Sequence, residues 1–303
     1  MKVHEMAMLG VLLSFVMLLQ SVRFSEAQSC GSAVNNTVCQ DGLCCSQAGF
    51  CGGSTAYCGT GCQSNCVSNT PPPGPTIKST SRLGKVLNES FFNLLWPGRN
   101  KFYQYNSLVL AGNAFPLFLS SRDKECALRE LAAFAAHVQQ ETGGLVYITE
   151  IDKSGNYCDP TAVQYPCAKN QLYYGRGPVQ LSWNFNYGAA SPAVRANILA
   201  HPDRVAMDPV LAFKTALWFW TTPSGSIPSI HDVITGEYVP TEQDIKLGRL
   251  DGFGLTIDII NGGLECGKAT PQAANRVTYF LQFCSLLGVD PGPNLTCDKM
   301  APF

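Results

Sequence analysis

The chain has 303 residues, of which 46% are hydrophobic and 14% are charged, and this composition excludes a disordered protein. Its formal net charge of −1 argues against nucleic acid as a main partner. Eight of the 14 cysteines lie in the segment from Cys30 to Cys66. This density indicates disulfides, which are rare in the reducing cytosol.

The first 27 residues have the three parts of a secretory signal peptide. A positively charged start with Lys2 is followed by an apolar stretch, residues 7–19, and by the small-x-small site Ser25-Glu26-Ala27. The apolar stretch is too short to span a membrane comfortably, so a membrane anchor is the weaker alternative. We expect residues 1–27 to be removed, and the mature chain to begin at Gln28 and to be secreted without contacting a membrane.

Residues 28–66 form a cysteine-dense unit whose gaps are filled by Gly, Ser, Asn and Thr. A unit this small cannot bury enough apolar surface to be stable, so disulfides must hold it together. Spacing alone does not choose among the many pairings that eight cysteines allow. Residues 67–82 (VSNTPPPGPTIKSTSR) follow as a proline-stiffened linker. Such a tether raises the local concentration of the second domain at an insoluble surface that the first has bound.

Residues 44–52 (CCSQAGFCG), followed by Tyr57 and Cys58, resemble the hevein-type chitin-binding module. The resemblance covers the whole unit and implies four disulfides: Cys30–Cys45, Cys39–Cys51, Cys44–Cys58 and Cys62–Cys66. It also implies contacts with N-acetylglucosamine, by ring stacking and by a hydroxyl bond to the acetamide, from three residues: Ser46, Phe50 and Tyr57. Ala48 stands where the module usually has a second aromatic residue, so we expect weakened binding. The alternative is a disulfide knot that binds no sugar.

The pattern of residues 83–303 is helical, and few runs alternate with period two, so we expect a mostly α domain with little sheet. Residues 123–140 place apolar side chains at helical spacing, and Gly143-Gly144 ends this helix. Two further helices are predicted over residues 208–220 and 275–287. Residues 221–254 are rich in Gly, Pro and Ser, and we expect a surface loop that borders a cleft.

Two carboxylates of this domain are candidates for acid–base chemistry. Glu141 is the last acid of the first helix, and Glu150 follows shortly after the Gly pair. Hydrolysis of a glycosidic bond needs one carboxylic acid to protonate the leaving oxygen and one carboxylate to activate water or attack carbon. A pair held apart inverts the anomeric centre and a close pair retains it, and the sequence does not give the distance. Glu125 and Glu130 are structural rivals, of which Glu125 is expected to face solvent.

Small polar and aromatic residues alternate near the middle of the domain. The polar positions are Gln180, Ser182, Asn184 and Asn186, and the positions between them include Trp183, Phe185 and Tyr187. Because alternate residues of a strand share a face, the pattern predicts a strand whose polar face lines the cleft and whose aromatic face seals the core. A half-buried strand with a merely solvated face is the alternative.

The domain of residues 83–303 resembles the family 19 glycoside hydrolases, the plant-type chitinases, and the resemblance runs from about Glu130 to Cys297. Five motifs carry this resemblance: ETGG at 141–144, YITEI at 147–151, YGRGP at 174–178, FKTALWFW at 213–220 and INGGLEC at 260–266. The YITEI segment is similar to the class IV branch, and the long 221–254 segment is more similar to classes I and II. The resemblance implies a mostly α fold of two lobes that flank a cleft, similar to lysozyme.

The resemblance also implies a role for each matching residue. Glu141 would be the general acid, with its pKa raised, and Glu150 the general base for a water that Ser182 helps to hold. Sugar would be bound by Gln180, Asn186 and Asn261, and Arg276 would pair with acidic groups of the site. The reaction would be a single displacement that inverts configuration at β-1,4 links between N-acetylglucosamine units. No metal or organic cofactor is implied.

Cysteine pairing in this domain is implied in the same way. The resemblance pairs Cys158 with Cys167 and Cys266 with Cys297, and leaves Cys126 and Cys284 either paired with each other or free. None of the six cysteines shows a CxxC or a matched His spacing, so the sequence does not predict a metal site for them.

Three residues depart from the family pattern. Gln140 replaces the His that usually precedes the acid, Phe185 stands where Tyr is frequent, and Val146 replaces a Cys of the class IV relatives. The first two change hydrogen bonding around the site, so the rate and the pH optimum are open.

The leading hypothesis is a secreted, monomeric endochitinase that acts on chitin and its oligosaccharides in the extracellular space (apoplast), in defence against fungi or insects. A chitin-binding protein that has lost activity is the second hypothesis. A lysozyme-like enzyme that acts on bacterial cell wall is the third. Both candidate carboxylates are present, which favours an enzyme.

Overall fold

A computed structural model describes residues 30–39, 44–52, 61–66 and 79–303 of the chain. The chain divides into two compact units, residues 1–76 and residues 77–303. Within the described ranges, no helix has both the length and the apolar character that a membrane crossing requires.

The first unit is stabilised by disulfide bonds rather than by an apolar core. Two short antiparallel strands, β1 (Cys44–Cys45) and β2 (Cys51–Gly52), pair Cys45 with Cys51. Its buried cluster consists of cysteines, and the disulfides are Cys30–Cys45, Cys39–Cys51 and Cys62–Cys66. These are three of the pairs that the resemblance implies. Cys44 is also disulfide-bonded, whereas its expected partner, Cys58, and Tyr57 lie outside the described residues.

The second unit is mostly α, as the sequence predicts. Its described residues form eleven helices: α1 (Leu83–Val86), α2 (Glu89–Leu95), α3 (Tyr105–Ala114), α4 (Lys124–Thr142), α5 (Asn184–Val194), α6 (Arg204–Met207), α7 (Pro209–Thr221), α8 (Ile230–Thr235), α9 (Glu242–Lys246), α10 (Phe253–Glu265) and α11 (Pro271–Leu287). In residues 79–303, extended pairing is limited to isolated bridges.

Helix α4 is the central element of this unit. The Asp123 side chain caps it by accepting from the Glu125 N–H at 2.8 Å, and Gly143 ends it with a φ of 62°, which glycine adopts at little cost. The helix is buried along most of its length and packs against α8 and α11. Phe134 lies edge-on to Trp220 of α7, with ring centroids 5.2 Å apart. The last turn of α4 therefore presents Glu141 from a rigid support.

The predicted helices are present with small shifts at their ends. The helix predicted over residues 208–220 is α7, which Asp208 caps from outside. The helix predicted from residue 275 begins at Pro271, because the Thr270 hydroxyl caps it by accepting from the Ala273 N–H at 3.2 Å. A proline at the first position and a capping Thr before it are the signals that place this start.

The expectation of a long surface loop over residues 221–254 was wrong. This segment contains α8 and α9, and Ile230, Val233 and Ile234 of α8 belong to the buried core. Apolar residues at i, i+3 and i+4 after the capping residue Ser229 give even a six-residue helix a face to bury. The Gly and Pro residues that suggested a loop separate these short helices.

Four of the six cysteines of the second unit form two disulfides, Cys158–Cys167 and Cys266–Cys297. Cys126 and Cys284, which the sequence left either paired or free, are free thiols in the part of the chain described. Burial raises the pKa of the Cys284 thiol to about 12, so this sulfur is a weak nucleophile.

Candidate active site

A cleft of about 540 Å³ opens in the second unit. Its lining residues come from the end of α4, the loop that follows it, the segment before α5, and the C-terminal half of α10: Glu141, Tyr147, Thr149, Glu150, Ile151, Asp152, Tyr157, Gly175, Val179, Gln180, Ser182, Trp183, Ile260, Asn261 and Leu264. Both candidate carboxylates, Glu141 and Glu150, lie in this one cleft.

Glu141 lies in the last turn of α4 and is mostly buried. Its carboxylate accepts a hydrogen bond from the Arg276 guanidinium, which also bonds both oxygens of Glu265, at 2.8 and 2.9 Å. Burial raises the pKa of Glu141; the Arg276 charge opposes this rise and the Glu265 charge adds to it. A carboxyl in this environment remains protonated to a higher pH than an exposed one.

The Arg276 side chain is fixed from its other side by His137, one turn before Glu141 on α4. An Arg276 N–H lies 3.1 Å from His137 Nδ1, and His137 Nε2 lies 2.9 Å from the Thr256 hydroxyl. Because a guanidinium only donates, Nδ1 must be the acceptor and the imidazole must be neutral. Burial, with the nearby Arg276 charge, holds the pKa of His137 well below its usual range, which agrees with this assignment.

Glu150 is held in a loop rather than on a helix. Its own N–H donates to the Gly175 carbonyl at 2.8 Å, and its Oε2 accepts from the Gly175 N–H at 2.9 Å. Its Oε1 accepts from the Tyr157 hydroxyl at 2.5 Å. Chiefly because of this bond to Glu150, the pKa of Tyr157 rises to about 12. Both oxygens of Glu150 are therefore acceptors, and its orientation is fixed by two donors.

Tyr157 was not identified by sequence reasoning, although it orients a candidate catalytic group. It lies within a stretch without helical or strand periodicity, and its backbone has a φ of 49°. Residues of such loops are positioned by tertiary contacts, so no local pattern indicated it. Asp152 was also missed; it lines the cleft two residues after Glu150, and hydrogen bonds from Ser154 lower its pKa.

Asn261 lies where α10 is kinked. Its φ and ψ of −153° and 33° are not helical, and its amide donates to Glu265 Oε1 at 2.8 Å. Side chains four residues apart on a helix meet, so this spacing was the signal that could have indicated Glu265, which sequence reasoning did not select. Asn261 thus connects the cleft surface to the same Glu265 carboxylate that holds Arg276.

The strand predicted around residues 180–187 was wrong, because helix α5 begins at Asn184. Gln180 and Ser182 line the cleft as expected, and the Gln180 amide donates to the Gly177 carbonyl at 2.9 Å. Asn186 is not among the described residues that line the cleft; its amide donates to the Ser182 carbonyl at 3.0 Å. Asn184 and Asn186 lie in the helix whereas Gln180 and Ser182 precede it, so the four polar residues do not share one face.

The predicted strand would place Asn184 in the cleft and Trp183 in the core, and the structure shows the reverse. Asn184 is fully buried, and its side chain bonds the backbone of residues 159 and 165. Trp183 is 40% exposed in the cleft and stacks on Phe185, with ring centroids 6.0 Å apart. The cleft therefore has a flat aromatic face of the kind on which sugar rings stack.

The buried rival Glu130 has a structural environment. Its two oxygens accept from the Leu119 N–H, from the Trp220 indole and from a ring nitrogen of His231, at 2.8 to 3.0 Å. It lies in the core, fully buried, apart from the lining of the cleft, whereas Glu125 is exposed at the start of α4 as expected.

In the first unit, Phe50 and Ser46 differ in their access to a ligand. Phe50 is 45% exposed, whereas Ser46 is buried and its hydroxyl accepts from the Phe50 N–H at 3.2 Å. Ala48 is exposed, so an aromatic side chain would have space at that position. The described part of this unit therefore presents one exposed ring, that of Phe50.

Comparisons with known proteins give two matching family models. The model described as chitinase class I matches residues 89–297, and the model described as chitin recognition protein matches residues 29–66. The chain is 40% identical to endochitinase B of Nicotiana tabacum, over 100% of this chain and 97% of the relative. It is 42% identical to an endochitinase of Persea americana, over 97% of this chain and 94% of the relative.

Solved structures agree with these matches. A family 19, class IV chitinase from Zea mays is 43% identical, with a TM-score of 0.60 over 71% of this chain and 99% of that chain. Chitinase C from Streptomyces griseus is 44% identical, with a TM-score of 0.62 over 71% of this chain and 81% of that chain.

The contrast between Asn184 and Asn186 can be tested by stability. We expect Asn184→Ala to lower the free energy of unfolding by about 3 kcal/mol, because three backbone groups lose their buried partners. Asn186→Ala, which removes one bond from a half-buried side chain, should cost about 1 kcal/mol or less. Urea unfolding of both variants measures the difference. Equal destabilisation would contradict the assignment of Asn184 as a structural residue.

Proposed function

This chain belongs to the family 19 glycoside hydrolases and is an endochitinase with a chitin-binding module, and we propose that it cleaves the β-1,4 links of chitin by a single displacement that inverts the anomeric centre. One observation carries the proposal: two glutamates line one cleft in different environments. A carboxyl whose pKa is raised by burial and a carboxylate held as a hydrogen-bond acceptor suit the acid and the base that such a reaction requires.

Glu141 is the proposed general acid. Its burial and the neighbouring Glu265 favour the protonated form, which can give a proton to the leaving glycosidic oxygen. After the transfer, the new negative charge lies against Arg276, which already contacts this carboxyl. The guanidinium therefore stabilises the charge that develops as the bond breaks.

Glu150 is the proposed general base. The Tyr157 hydroxyl and the Gly175 N–H both donate to it, so it is presented as an acceptor for the proton of an attacking water. Ser182 lines the same cleft and is proposed to hold that water. Attack by water on the face opposite the leaving oxygen would produce inversion.

Sugar binding is proposed for Gln180, Asn261 and Trp183. Gln180 and Asn261 offer amide groups in the cleft, and Trp183 offers a ring face. Arg276 lies behind Glu141 and is only 1% exposed. We therefore propose that it positions the Glu141 carboxyl and does not contact the sugar. Asn186 is proposed to act through the Ser182 backbone, which its amide bonds, and not by contact from the cleft wall.

Gln140, which replaces the usual His, does not weaken the proposal. It is half-buried and, within residues 79–303, is not part of the cleft lining. The hydrogen bonds that position Glu141 and Glu150 come from Arg276, Tyr157 and Gly175. Activity therefore rests on groups that this chain retains.

We further propose secretion and a defensive role against chitin-bearing organisms. The signal-peptide pattern of residues 1–27 and the disulfides of both units support secretion. The chitin recognition module supports action at an insoluble surface, where a tethered catalytic unit gains local concentration.

The stereochemistry and the acid are tested together by time-resolved NMR of a chitin hexasaccharide. Wild type should release new reducing ends as the α-anomer, and Glu141→Gln should be at least about a hundredfold slower, because the proton donor is lost. Folding of the variant is verified by circular dichroism. Initial release of the β-anomer would refute inversion. Cleavage of peptidoglycan but not of chitin, or no cleavage by folded wild type, would refute the proposed substrate or activity.

Tyr157→Phe tests the orientation of the base. Losing the hydroxyl leaves Glu150 Oε1 without its 2.5 Å donor, so we expect kcat to fall roughly ten- to a hundredfold with a smaller change in KM. The matched control is Tyr105→Phe, which removes a 2.9 Å bond to the Leu87 carbonyl in another part of the domain. If both variants lost activity equally, the Tyr157 bond would not have the assigned role.

Glu265→Gln tests the environment of the acid through pH. The Glu265 charge contributes to the raised pKa of Glu141, so neutralising it should lower that pKa. Because Glu141 acts in its protonated form, the basic limb of the kcat–pH profile should then move to lower pH, by roughly one unit. Glu242→Gln, an exposed acid on α9, should leave the profile unchanged. A shift to higher pH would contradict the assignment.

A further inference from the structure

The first turn of α8 and the turn that follows the helix bring together one histidine and two carboxylates. His231, Asp232 and Glu237 each offer a ligand atom, and these three atoms lie within 4.8 Å of one another. None of the three belongs to the lining of the cleft in the part of the chain described. We propose that they form a binding site for a divalent metal ion, with Zn²⁺ as the ion that the donor set favours.

The backbone is folded so that Glu237 returns to the histidine. The N–H groups of Glu237 and Tyr238 both donate to the Asp232 carbonyl, at 2.8 and 2.9 Å. Gly236 makes this reversal possible with a φ of 78°, a conformation that other residues adopt only with strain. The turn that ends α8 therefore brings the backbone of Glu237 back towards Asp232 and His231.

The Nδ1 atom of His231 is hydrogen-bonded to a buried carboxylate. Nδ1 lies 2.8 Å from Glu130 Oε1, and Glu130 also accepts from the Leu119 N–H and the Trp220 indole. Because the Glu130 carboxylate accepts hydrogen bonds, Nδ1 of His231 must be the donor and must carry the hydrogen. Histidines that bind metals typically donate their other ring N–H to a carboxylate in this way, which fixes the tautomer and the ring orientation.

His231 Nε2 is consequently the nitrogen that remains to bind a ligand. It is buried, and it has no hydrogen-bond partner among the described residues. The His231 residue is 1% exposed, so its position is set by the core, whereas Asp232 is half-buried and Glu237 exposed. A buried polar atom without a partner is costly, and a metal ion bound at Nε2 would remove that cost.

The donor set points to zinc. One imidazole nitrogen and two carboxylate oxygens are three of the ligands that Zn²⁺ uses, and water can complete a tetrahedron. Since the three ligand atoms lie within 4.8 Å of one another, closing them onto zinc bonds of about 2.0 to 2.2 Å needs at most a small movement. The two carboxylates can make that movement because both side chains reach solvent, while His231 stays in place.

The proposed ion would stabilise rather than catalyse. Helix α8 packs against α4, which ends in Glu141, and against α10, which carries Asn261. Binding would join the turn at residues 236–238 to α8 and so hold this helix against both elements. The proposal does not depend on the assignment of the acid and the base, because it predicts binding and thermal stability.

The test is titration of zinc sulfate into the full-length mature protein after removal of metals with EDTA, at neutral pH, by isothermal titration calorimetry. One ion should bind, and zinc should raise the Tm in differential scanning calorimetry. Glu237→Gln and Asp232→Asn should each weaken binding at least about tenfold and reduce the rise in Tm. The matched control Glu242→Gln, an exposed glutamate five positions along the chain from Glu237, should bind zinc as wild type does.

His231→Gln is expected to abolish binding, but it also removes a buried partner of Glu130, so the two carboxylate variants decide the result. X-ray absorption of the zinc-loaded protein should show nitrogen and oxygen ligands and no sulfur. Absence of zinc binding to wild type would overturn the proposal. Binding that survives both carboxylate substitutions, or that depends instead on the free thiol of Cys126, would overturn it as well.

Discussion

The catalytic unit depends on one buried cation, the guanidinium of Arg276. It is 1% exposed and is surrounded by Glu141, Glu265 and the neutral imidazole of His137. Burying a charge without partners is very costly, so each of these groups is constrained by the others. The network also joins three helices, because His137 and Glu141 come from α4, Glu265 from α10 and Arg276 from α11. The Glu141 carboxyl is thus held by the same interaction that holds the helices together.

Glu141 and Glu150 differ in burial and in hydrogen bonding because one lies on a helix and the other on a loop. Glu141 is on a rigid helix, buried beside a cation and a second carboxylate, and its pKa is raised. Glu150 is on a loop and receives its orientation from the Tyr157 hydroxyl and the Gly175 N–H. A helix supplies burial because its neighbours enclose it, whereas a loop near the surface supplies access and must be fixed by hydrogen bonds. Such a division suits an acid and a base that work on opposite sides of one bond.

A second buried carboxylate, Glu130, shows how the same helix serves another purpose. Three turns before Glu141, it receives hydrogen bonds from Leu119, Trp220 and His231 and so connects α4 to α7 and α8. Its position explains why the carboxylate in the middle of α4 is structural while the one at the end can be chemical. Only the last turn of α4 reaches the cleft.

The sequence by itself determined the helices with strong periodicity, the two candidate carboxylates and the disulfide-rich module, since capping residues, apolar spacing and cysteine content act locally. Its alternation at residues 180–187 suggested a strand, but Asn184 instead starts α5. The Asn184 side chain is buried there because it hydrogen-bonds the backbone of residues 159 and 165, which are distant in sequence. Tyr157 lies in an aperiodic loop, so its role has no local signal. The spacing of Glu265 from Asn261 is a local signal, but its connection through Arg276 to the distant Glu141 is not. Only the tertiary structure decided which donor meets which carboxylate, because burial and hydrogen-bond partners depend on contacts between residues distant in sequence.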